Sequence, residues 1–238
     1  MTEKQVPFCL CLAGPNGSGK STLTKGLRSF HPLANWIDPD IVASEVRADP
    51  AHESLEQDEV SKIAFGVARR LRVKYAQGLE DFGFETVYSH FSNLNFLAAL
   101  KKLGYFVQLN FVCTDNPAIN VGRVRNRVRA GGHSVPEDKI IQRYERSLEN
   151  LGHSIHLFDR LVFFDNSNSD LPGRVFGQIT RSGGEIGLRL LNLPFPPWIA
   201  DVLQKKFIPG IGGFLTIEED QKYQDSMVRE SFLEQFLI

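Results

Sequence analysis

The stretch AGPNGSGKST, Ala13 to Thr22, lies directly behind the apolar run FCLCL. Within it, GPNGSGKS matches the G-x-x-x-x-G-K-[ST] pattern of the phosphate-binding Walker A loop, which needs a strand before it and a helix after it. Both are predicted here, because 8–12 is a short buried-strand run and apolar residues then recur at helical spacing. Glycines let backbone N–H groups turn towards a phosphate, and the helix start adds its positive dipole end. The pattern therefore predicts a nucleotide phosphate site formed by Gly14, Pro15, Asn16, Gly17, Ser18, Gly19, Lys20, Ser21 and Thr22.

Two side chains of this loop predict the cofactors. We expect Lys20 to reach the β- and γ-phosphates of ATP and the Ser21 hydroxyl to ligate Mg²⁺. Oxygen ligands of this kind suit a hard cation such as Mg²⁺. ATP and Mg²⁺ are therefore the expected cofactors.

Length, charge and cysteine usage narrow the class of protein. With 238 residues, 42% of them hydrophobic, the chain is long enough for one large domain and for an enzyme. A net charge of -1 predicts no general attraction to nucleic acid or to anionic membranes. The 3 cysteines lack a CxxC spacing and are expected to be reduced core thiols. Without a signal peptide or a run of about 18 apolar residues, the sequence predicts a cytoplasmic protein with no membrane or nucleic-acid partner.

Strand-like apolar runs alternate with segments of helical period, which predicts an α/β fold. We expect a P-loop kinase-like three-layer sandwich with a mainly parallel central sheet and a helical lid. The predicted core is 1–167, with the lid at about 116–152, and 168–238 is a C-terminal extension packed on the same domain. In that extension RVFGQIT and IGLRLL are candidates for edge strands, and the last twenty or so residues have helical period.

Asp38 and Asp40 follow the second predicted strand in the segment NWIDPDIVA. Because the carboxyl ends of parallel strands meet at one edge of a sheet, both carboxylates are expected to face the nucleotide crevice. In a small-molecule kinase, one would hold Mg²⁺ through water and the other would accept the proton of the acceptor hydroxyl. The alternative is that both only cap the helix that begins near Ile41. Spacing does not separate the two interpretations.

Glu85 and Thr86 end the third predicted strand and are expected at the same crevice. A carboxylate beside a hydroxyl is a candidate clamp for a polyhydroxylated acceptor. The alternative is a polar pair on a solvated turn.

The boundaries of two helices are predicted from capping residues. Asn116 and Pro117 have the types of an N-cap and a first-turn proline, and the helix that they open is expected to stop at Gly131. Ser134 and Glu137 then match the S-x-x-E capping box of a second helix.

Four arginines lie on the first of these helices, in NVGRVRNRVRAGGH, and find no acidic partner nearby in the sequence. Arg123 with Arg127, and Arg125 with Arg129, are pairs at i, i+4. We expect a mobile lid whose arginines close over the γ-phosphate and spread its developing charge, with His133 as a further candidate. The alternative is a solvated basic face.

The loop wording GPNGSGKST is also found in transporter-type ABC ATPases. RAGGHS and LVFFDN could be taken for two further motifs of that class. However, Asn166 stands where the water-activating carboxylate would be needed, and GGHSVPED is a break between helices rather than the start of one. Transfer of the phosphoryl group to an acceptor other than water is therefore the favoured interpretation.

Several segments together resemble the zeta-toxin-like kinases. They are GPNGSGKST, IDPDIVA, FETVYS, GYFVQLNFV, RVRNRVRAGGHSVPEDKIIQRYERSLENL and FFDNS, in this order over about 6–167. The resemblance implies a P-loop kinase fold and phosphorylation of a sugar hydroxyl of UDP-N-acetylglucosamine. It also implies a toxin held in check by a small antitoxin.

The resemblance also implies roles for individual residues. Lys20 and Ser21 correspond to the phosphate lysine and the Mg²⁺ hydroxyl, and Asp40 to the catalytic base. Asp38 is a metal candidate from its position after the second strand alone. Glu85 and Thr86 correspond to the segment that contacts the acceptor. Arg123 and Arg127 correspond to γ-phosphate arginines, although four choices of register exist.

Two function classes remain open at this point. One is a kinase acting on a sugar nucleotide or another hydroxylated metabolite. The other is an ATP-binding switch or assembly subunit, as the ABC-like loop would permit. Asp40 and the arginines favour the kinase, because a binding-only switch needs neither.

Overall fold

The fold is built on one sheet, which a computed structural model describes within residues 6–30, 33–52, 54–168, 173–182, 185–191, 196–206 and 215–216. Its strands are β1 (Phe8–Ala13), β2 (Asn35–Ile37), β3 (Phe82–Thr86), β4 (Phe106–Cys113), β5 (Arg160–Asp165), β6 (Arg174–Ser182), β7 (Glu185–Leu190) and β8 (Leu215–Thr216). They lie in the order β2-β3-β1-β4-β5-β6-β7-β8.

Helices connect the strands and cover the sheet. They are α1 (Lys20–Phe30), α2 (Pro39–Ala48), α3 (Gln57–Gly78), α4 (Ser92–Lys102), α5 (Pro117–Arg129), α6 (Glu137–Ser154) and α7 (Pro197–Lys206). Short 3₁₀ turns occupy Pro50–His52 and Ile155–Leu157.

The first five strands are parallel, and the edge beyond them is mostly antiparallel. In the centre, Cys11 of β1 is in register with Phe84 of β3 and with Leu109 of β4. β6 and β7 add antiparallel to β5, so RVFGQIT and IGLRLL do form strands of this sheet. The predicted α/β fold with a mainly parallel sheet is confirmed. The division of the chain at residue 167 stays a prediction.

Side chains of β1 show how the layers are held together. Cys9 and Cys11 face a core shared with α3, α4, α6 and α7, whereas Leu12 faces a second core that contains Leu27 of α1. Alternation of this kind is the expected result of the two-residue period of a strand that is buried on both faces. The sheet is therefore the middle of three layers.

The three cysteines are buried and free, as predicted. Burial raises the pKa of the Cys113 thiol to about 12, so this side chain stays protonated near neutral pH. The thiols act as small apolar core residues.

The predicted capping box at Ser134 is wrong. α6 begins only at Glu137, and its N-cap is Pro136, with no capping hydrogen bond from a side chain. The ring of Pro136 disfavours the helical conformation for Val135, so a helix starting at Ser134 could not continue through it. By contrast, the predicted start of α5 is confirmed, because the Asn116 side chain accepts a hydrogen bond from the Ala118 N–H.

The predicted helical period of the last twenty or so residues falls on 217–238, outside the described residues. Among the helices that the structure describes, none combines the length and the apolar character needed to cross a membrane.

Candidate functional site

The phosphate loop joins the end of β1 to the start of α1, as its pattern requires. Gly14, Gly17 and Gly19 have φ values of 148°, 76° and 99°, which side-chain-bearing residues rarely adopt. A Cβ at Gly14 would overlap the Val112 carbonyl oxygen, and one at Gly19 would overlap the amide of Asn166. The glycines therefore serve both the turn and the close approach of neighbouring groups.

Two asparagines brace the loop from other elements. Asn166, just after β5, donates to the Ser18 carbonyl oxygen at 2.7 Å and accepts from the Gly173 N–H at 3.1 Å. Asn120 of α5 donates to the Asn16 carbonyl oxygen at 2.6 Å. The position that an ABC ATPase would use for a catalytic carboxylate is thus occupied by a side chain that holds the loop.

Lys20 is folded onto the loop that precedes it. Its Nζ donates to the carbonyl oxygens of Gly14 at 2.7 Å and Pro15 at 3.0 Å. Ser21 and Thr22 follow it in the first turn of α1 and are exposed. The first N–H groups of a helix have no partner within the helix, so they are available to an anion at this point.

Charged side chains from three other elements lie within electrostatic reach of Lys20. Removal from water lowers the pKa of Lys20 to about 8, the carboxylates of Glu85 and Asp40 oppose this shift, and the Arg127 guanidinium adds to it. The structure therefore brings together four residues that the sequence predicted for the site, from α1, α2, β3 and α5.

This pKa predicts that ATP binding takes up a proton in mild alkali. Phosphate groups favour the charged ammonium, so the pKa of Lys20 should rise in the complex. Between pH 8 and about 10 the complex then holds more protons than the free protein, and ATP affinity falls as the pH rises. Calorimetric titrations at pH 8.5 in buffers of different ionisation enthalpy should reveal this uptake.

The control is Lys20→Arg, because arginine stays charged throughout this range. Uptake that persists unchanged in Lys20→Arg would assign the proton to another group.

Asp38 and Asp40 have different roles in the structure. Asp38 is the N-cap of α2, and its Oδ1 accepts from the Asp40 N–H at 2.8 Å. Asp40 lies in the first turn and contributes only its backbone N–H to the cap, so its side chain is exposed and not used for capping. Of the two interpretations left open by the sequence, capping applies to Asp38 alone.

Glu85 and Thr86 point to opposite faces of β3. Glu85 is 6% exposed and accepts a hydrogen bond from the Thr24 hydroxyl of α1. Burial raises the pKa of Glu85, as do Asp38 and Asp40, while the Thr24 hydrogen bond and Lys20 oppose this. Thr86, on the other face, donates to Asn93 Oδ1 at 3.4 Å.

The four arginines of α5 have separate surroundings. Arg125 pairs at 2.5 Å with Glu137, an acidic residue of the next helix that is not nearby in the sequence. Arg127 donates to the His133 carbonyl oxygen at 3.0 Å. Arg123 has a buried Nη1 without a hydrogen-bond partner among the described residues. The last, Arg129, is exposed.

Arg143 of α6, on sequence grounds only a weak candidate, also lies at the site. Its guanidinium donates to Asn16 Oδ1 at 3.2 Å and so reaches the phosphate loop directly. The two residues are 127 positions apart, and no local pattern relates them.

A row of polar side chains ties α6 to the ends of the central strands. Ser147 donates to the Val87 carbonyl oxygen at 2.6 Å, and Asn150 donates to the Tyr88 carbonyl oxygen at 2.8 Å. The Tyr88 hydroxyl donates to Ser154 at 2.7 Å, and Tyr88 itself has a φ of 64°. The one sequence signal for this row is the i, i+3, i+7 spacing of polar residues on a helix face. α6 is therefore anchored beside the segment that contains Glu85 and Thr86.

Solved structures share the fold of this chain. No family model matches the chain. A chain of the PezAT chromosomal toxin-antitoxin system of Streptococcus pneumoniae superposes with a TM-score of 0.54 and 18% identity, over 96% of this chain and 90% of that one. AvrRxo1-ORF1:-ORF2 with ATP gives 0.62 and 14% identity, over 90% of this chain and 66% of that one. These similarities show a shared fold, in agreement with the predicted P-loop kinase fold.

One relative is closer in sequence. An uncharacterized protein of Haemophilus influenzae is 32% identical over 146 residues, which are 60% of this chain and 94% of the relative. The chain therefore belongs to the same protein family as this Haemophilus influenzae protein.

Proposed function

We propose that the chain is a kinase that transfers the γ-phosphate of ATP to a hydroxyl of a small molecule, with UDP-N-acetylglucosamine as the first acceptor to test. The observation that carries this proposal is the phosphate loop at the end of β1, with Asp40, Glu85 and Arg127 within electrostatic reach of its Lys20. A lysine for phosphate and a carboxylate for an acceptor hydroxyl are the groups that phosphoryl transfer requires. The resemblance to zeta-toxin-like kinases in the segments that carry these residues supports the same assignment.

The residues present fit ATP and Mg²⁺. The bare glycines, the buried Ser18 hydroxyl, which has no partner among the described residues, and the exposed start of α1 form a cradle for phosphates. Within the described residues, no group of three or more His, Cys, Asp or Glu forms a metal cage. Ser21 and Asp38 are a sparse oxygen donor set, and this suits Mg²⁺, which keeps several of its waters. Bound there, Mg²⁺ would neutralise charge on the phosphate oxygens.

Asp40 is the proposed base. The acceptor hydroxyl oxygen forms a bond to the γ-phosphorus, the bond to the β-phosphate oxygen breaks, and the hydroxyl proton passes to the Asp40 carboxylate. Its exposed position in the first turn of α2 leaves this carboxylate open to an acceptor. Glu85 and Thr86, on the two faces of the β3 end, are proposed to position the acceptor.

Arginines are proposed to stabilise the negative charge that develops on the γ-phosphoryl group during transfer. Arg127 acts on Lys20 electrostatically, and Arg143 contacts the loop through Asn16. Arg123 brings a buried Nη1 that lacks a partner among the described residues. Because Arg125 is paired with Glu137, Arg123 and Arg127 are the better γ-phosphate candidates on α5.

A small antitoxin is the proposed protein partner. PezAT is described as a toxin-antitoxin system, and AvrRxo1-ORF1 was crystallised as a complex with ORF2. We also propose that 1–167 is the kinase core, with 168–238 packed on it.

The proposal is tested by ADP release from Mg-ATP with and without UDP-N-acetylglucosamine. We expect release that depends on the acceptor, together with a phosphorylated sugar nucleotide detected by mass. If that acceptor gives no product, a panel of hydroxylated metabolites follows. ADP release that no acceptor stimulates would instead support the nucleotide-dependent switch.

A further inference from the structure

Arg72 lies on the inner side of α3, against the end of β3. Its guanidinium carbon is 4.9 Å from the centroid of the Phe84 ring and 5.8 Å from that of Phe96. Nε donates to the Ala68 carbonyl oxygen at 3.4 Å, and Nη1 donates to Asn93 Oδ1 at 3.5 Å. Both hydrogen bonds are long, so the donors of this guanidinium are only weakly used.

The positive charge of Arg72 has no anionic partner in the part of the chain that the structure describes. None of the carboxylates there lies within 4.0 Å of it. Burial lowers the pKa of Arg72, and the neighbouring charge of Arg69 adds to this. A largely buried cation without a counter-ion is costly, and stacking on Phe84 offsets only part of that cost.

Arg72 is connected to the proposed acceptor site through one residue. Asn93 Oδ1 accepts from Arg72 and also from the Thr86 hydroxyl. Thr86 is the last residue of β3 and directly follows Glu85. Arg72 and Thr86 are both partly exposed.

We infer that Arg72, oriented by Asn93, forms a subsite for an anionic group of the acceptor, a phosphate or a carboxylate. The inference rests on the proposed function and defines its substrate class as acidic hydroxylated metabolites rather than neutral ones. A guanidinium presents paired donors that match the oxygens of these groups, and the Phe84 ring holds its plane in place. If Arg72 served packing alone, an apolar side chain would fill the same space without the cost of removing a charge from water.

The experiment measures binding rather than turnover. With Mg-AMP-PNP saturating the phosphate loop, the full chain is titrated with pairs of compounds. The two members of each pair differ by one anionic group. The pairs are N-acetylglucosamine 1-phosphate and N-acetylglucosamine, glucose 6-phosphate and glucose, and glycerol 3-phosphate and glycerol. We expect an anionic member to bind more tightly than its neutral partner, and Arg72→Gln to reduce that binding about 10- to 100-fold while the neutral partner is unaffected.

Arg70→Gln is the matched control, because Arg70 is exposed on the same helix and should leave the preference unchanged. Arg72→Lys keeps the charge and should keep part of the preference for the anion, which a packing role would not predict. Equal losses for both members of a pair, an equal effect of Arg70→Gln, or no preference for any anionic compound in the wild type would overturn the inference. A preference without phosphoryl transfer would keep the subsite and reject the kinase.

Discussion

Replacing Lys20 with alanine is expected to weaken ATP binding about 10- to 100-fold, because a charge-assisted hydrogen bond contributes roughly 1.5–3 kcal/mol. Turnover should fall by a further ~10²- to 10³-fold, the usual effect of removing one donor that acts on transition-state charge. In the free protein the same ammonium bonds the carbonyl oxygens of Gly14 and Pro15. Phosphate can replace these two acceptors without any new side chain having to move into the site. Equilibrium ATP titration and single-turnover ADP release measure the two effects separately.

Lys25→Ala is the matched control, since Lys25 is an exposed lysine on the same helix. It should leave both quantities at wild-type values. Thermal unfolding of each variant checks that the loop still folds. If folded Lys20→Ala binds ATP as the wild type does, the phosphate-loop assignment fails, and the kinase proposal fails with it.

The phosphate loop was predictable because its determinants are local. The left-handed glycines, the strand before them and the helix after them lie within 8–30 of the chain. The cap at Asn116 was predictable for the same reason, since an asparagine followed by a proline defines a helix start within three residues. Short patterns of this kind predict the local structure correctly where no distant contact competes with them.

Local patterns failed where a neighbour in sequence or in space took precedence. The capping box at Ser134 was overridden by Pro136, two residues later. α4 was not predicted, and its N-cap, Phe91, makes no capping hydrogen bond by its side chain. The Arg125–Glu137 pair spans the turn between two helices, where helical spacing carries no information.

The contacts of the candidate site that could not be predicted from the sequence are all long-range. Arg143 meets Asn16 across 127 positions, and Ser147 meets the Val87 carbonyl oxygen across 60. Backbone carbonyl groups carry no residue signature, so a side chain that binds one cannot be recognised from sequence. For Ser147, Asn150 and Ser154 of α6, the sequence shows only that polar residues share one helix face. It does not show that this face is buried.

Anchoring of α6 also changes the expected form of the lid. Four of its side chains, Tyr144, Ser147, Asn150 and Ser154, hydrogen-bond groups at the ends of β3 and β4. A helix held in this way does not swing as a unit without breaking several buried hydrogen bonds, each costly to leave unmade. Closure over the γ-phosphate is therefore expected from the end of α5 and the connection that follows it.

Replacing Asp40 with asparagine is expected to separate phosphoryl transfer from ATP binding. The side chain keeps its size and lies outside the phosphate loop, so Mg-ATP should bind nearly as in the wild type. Transfer should fall ~10²- to 10⁴-fold, or about 3–5 kcal/mol, which is the usual contribution of a positioned general base. We expect a loss near the lower end of this range. In a loose transition state the base contributes little until the bond to the leaving oxygen has largely broken. Single-turnover formation of phosphorylated acceptor gives the rate.

Asparagine at this position also removes a negative charge from the first turn of α2, which costs about 0.3–1 kcal/mol of helix stabilisation. Glu45→Gln, one turn further along the same helix and exposed, controls for a general change of charge at this surface. It should leave transfer unaffected. Because Asp38 rather than Asp40 caps α2, the cap remains intact in Asp40→Asn, and any large loss of transfer belongs to the carboxylate itself. Equal product from wild type and Asp40→Asn would remove Asp40 as the base and leave Glu85, buried against Thr24, as the remaining carboxylate beside Lys20.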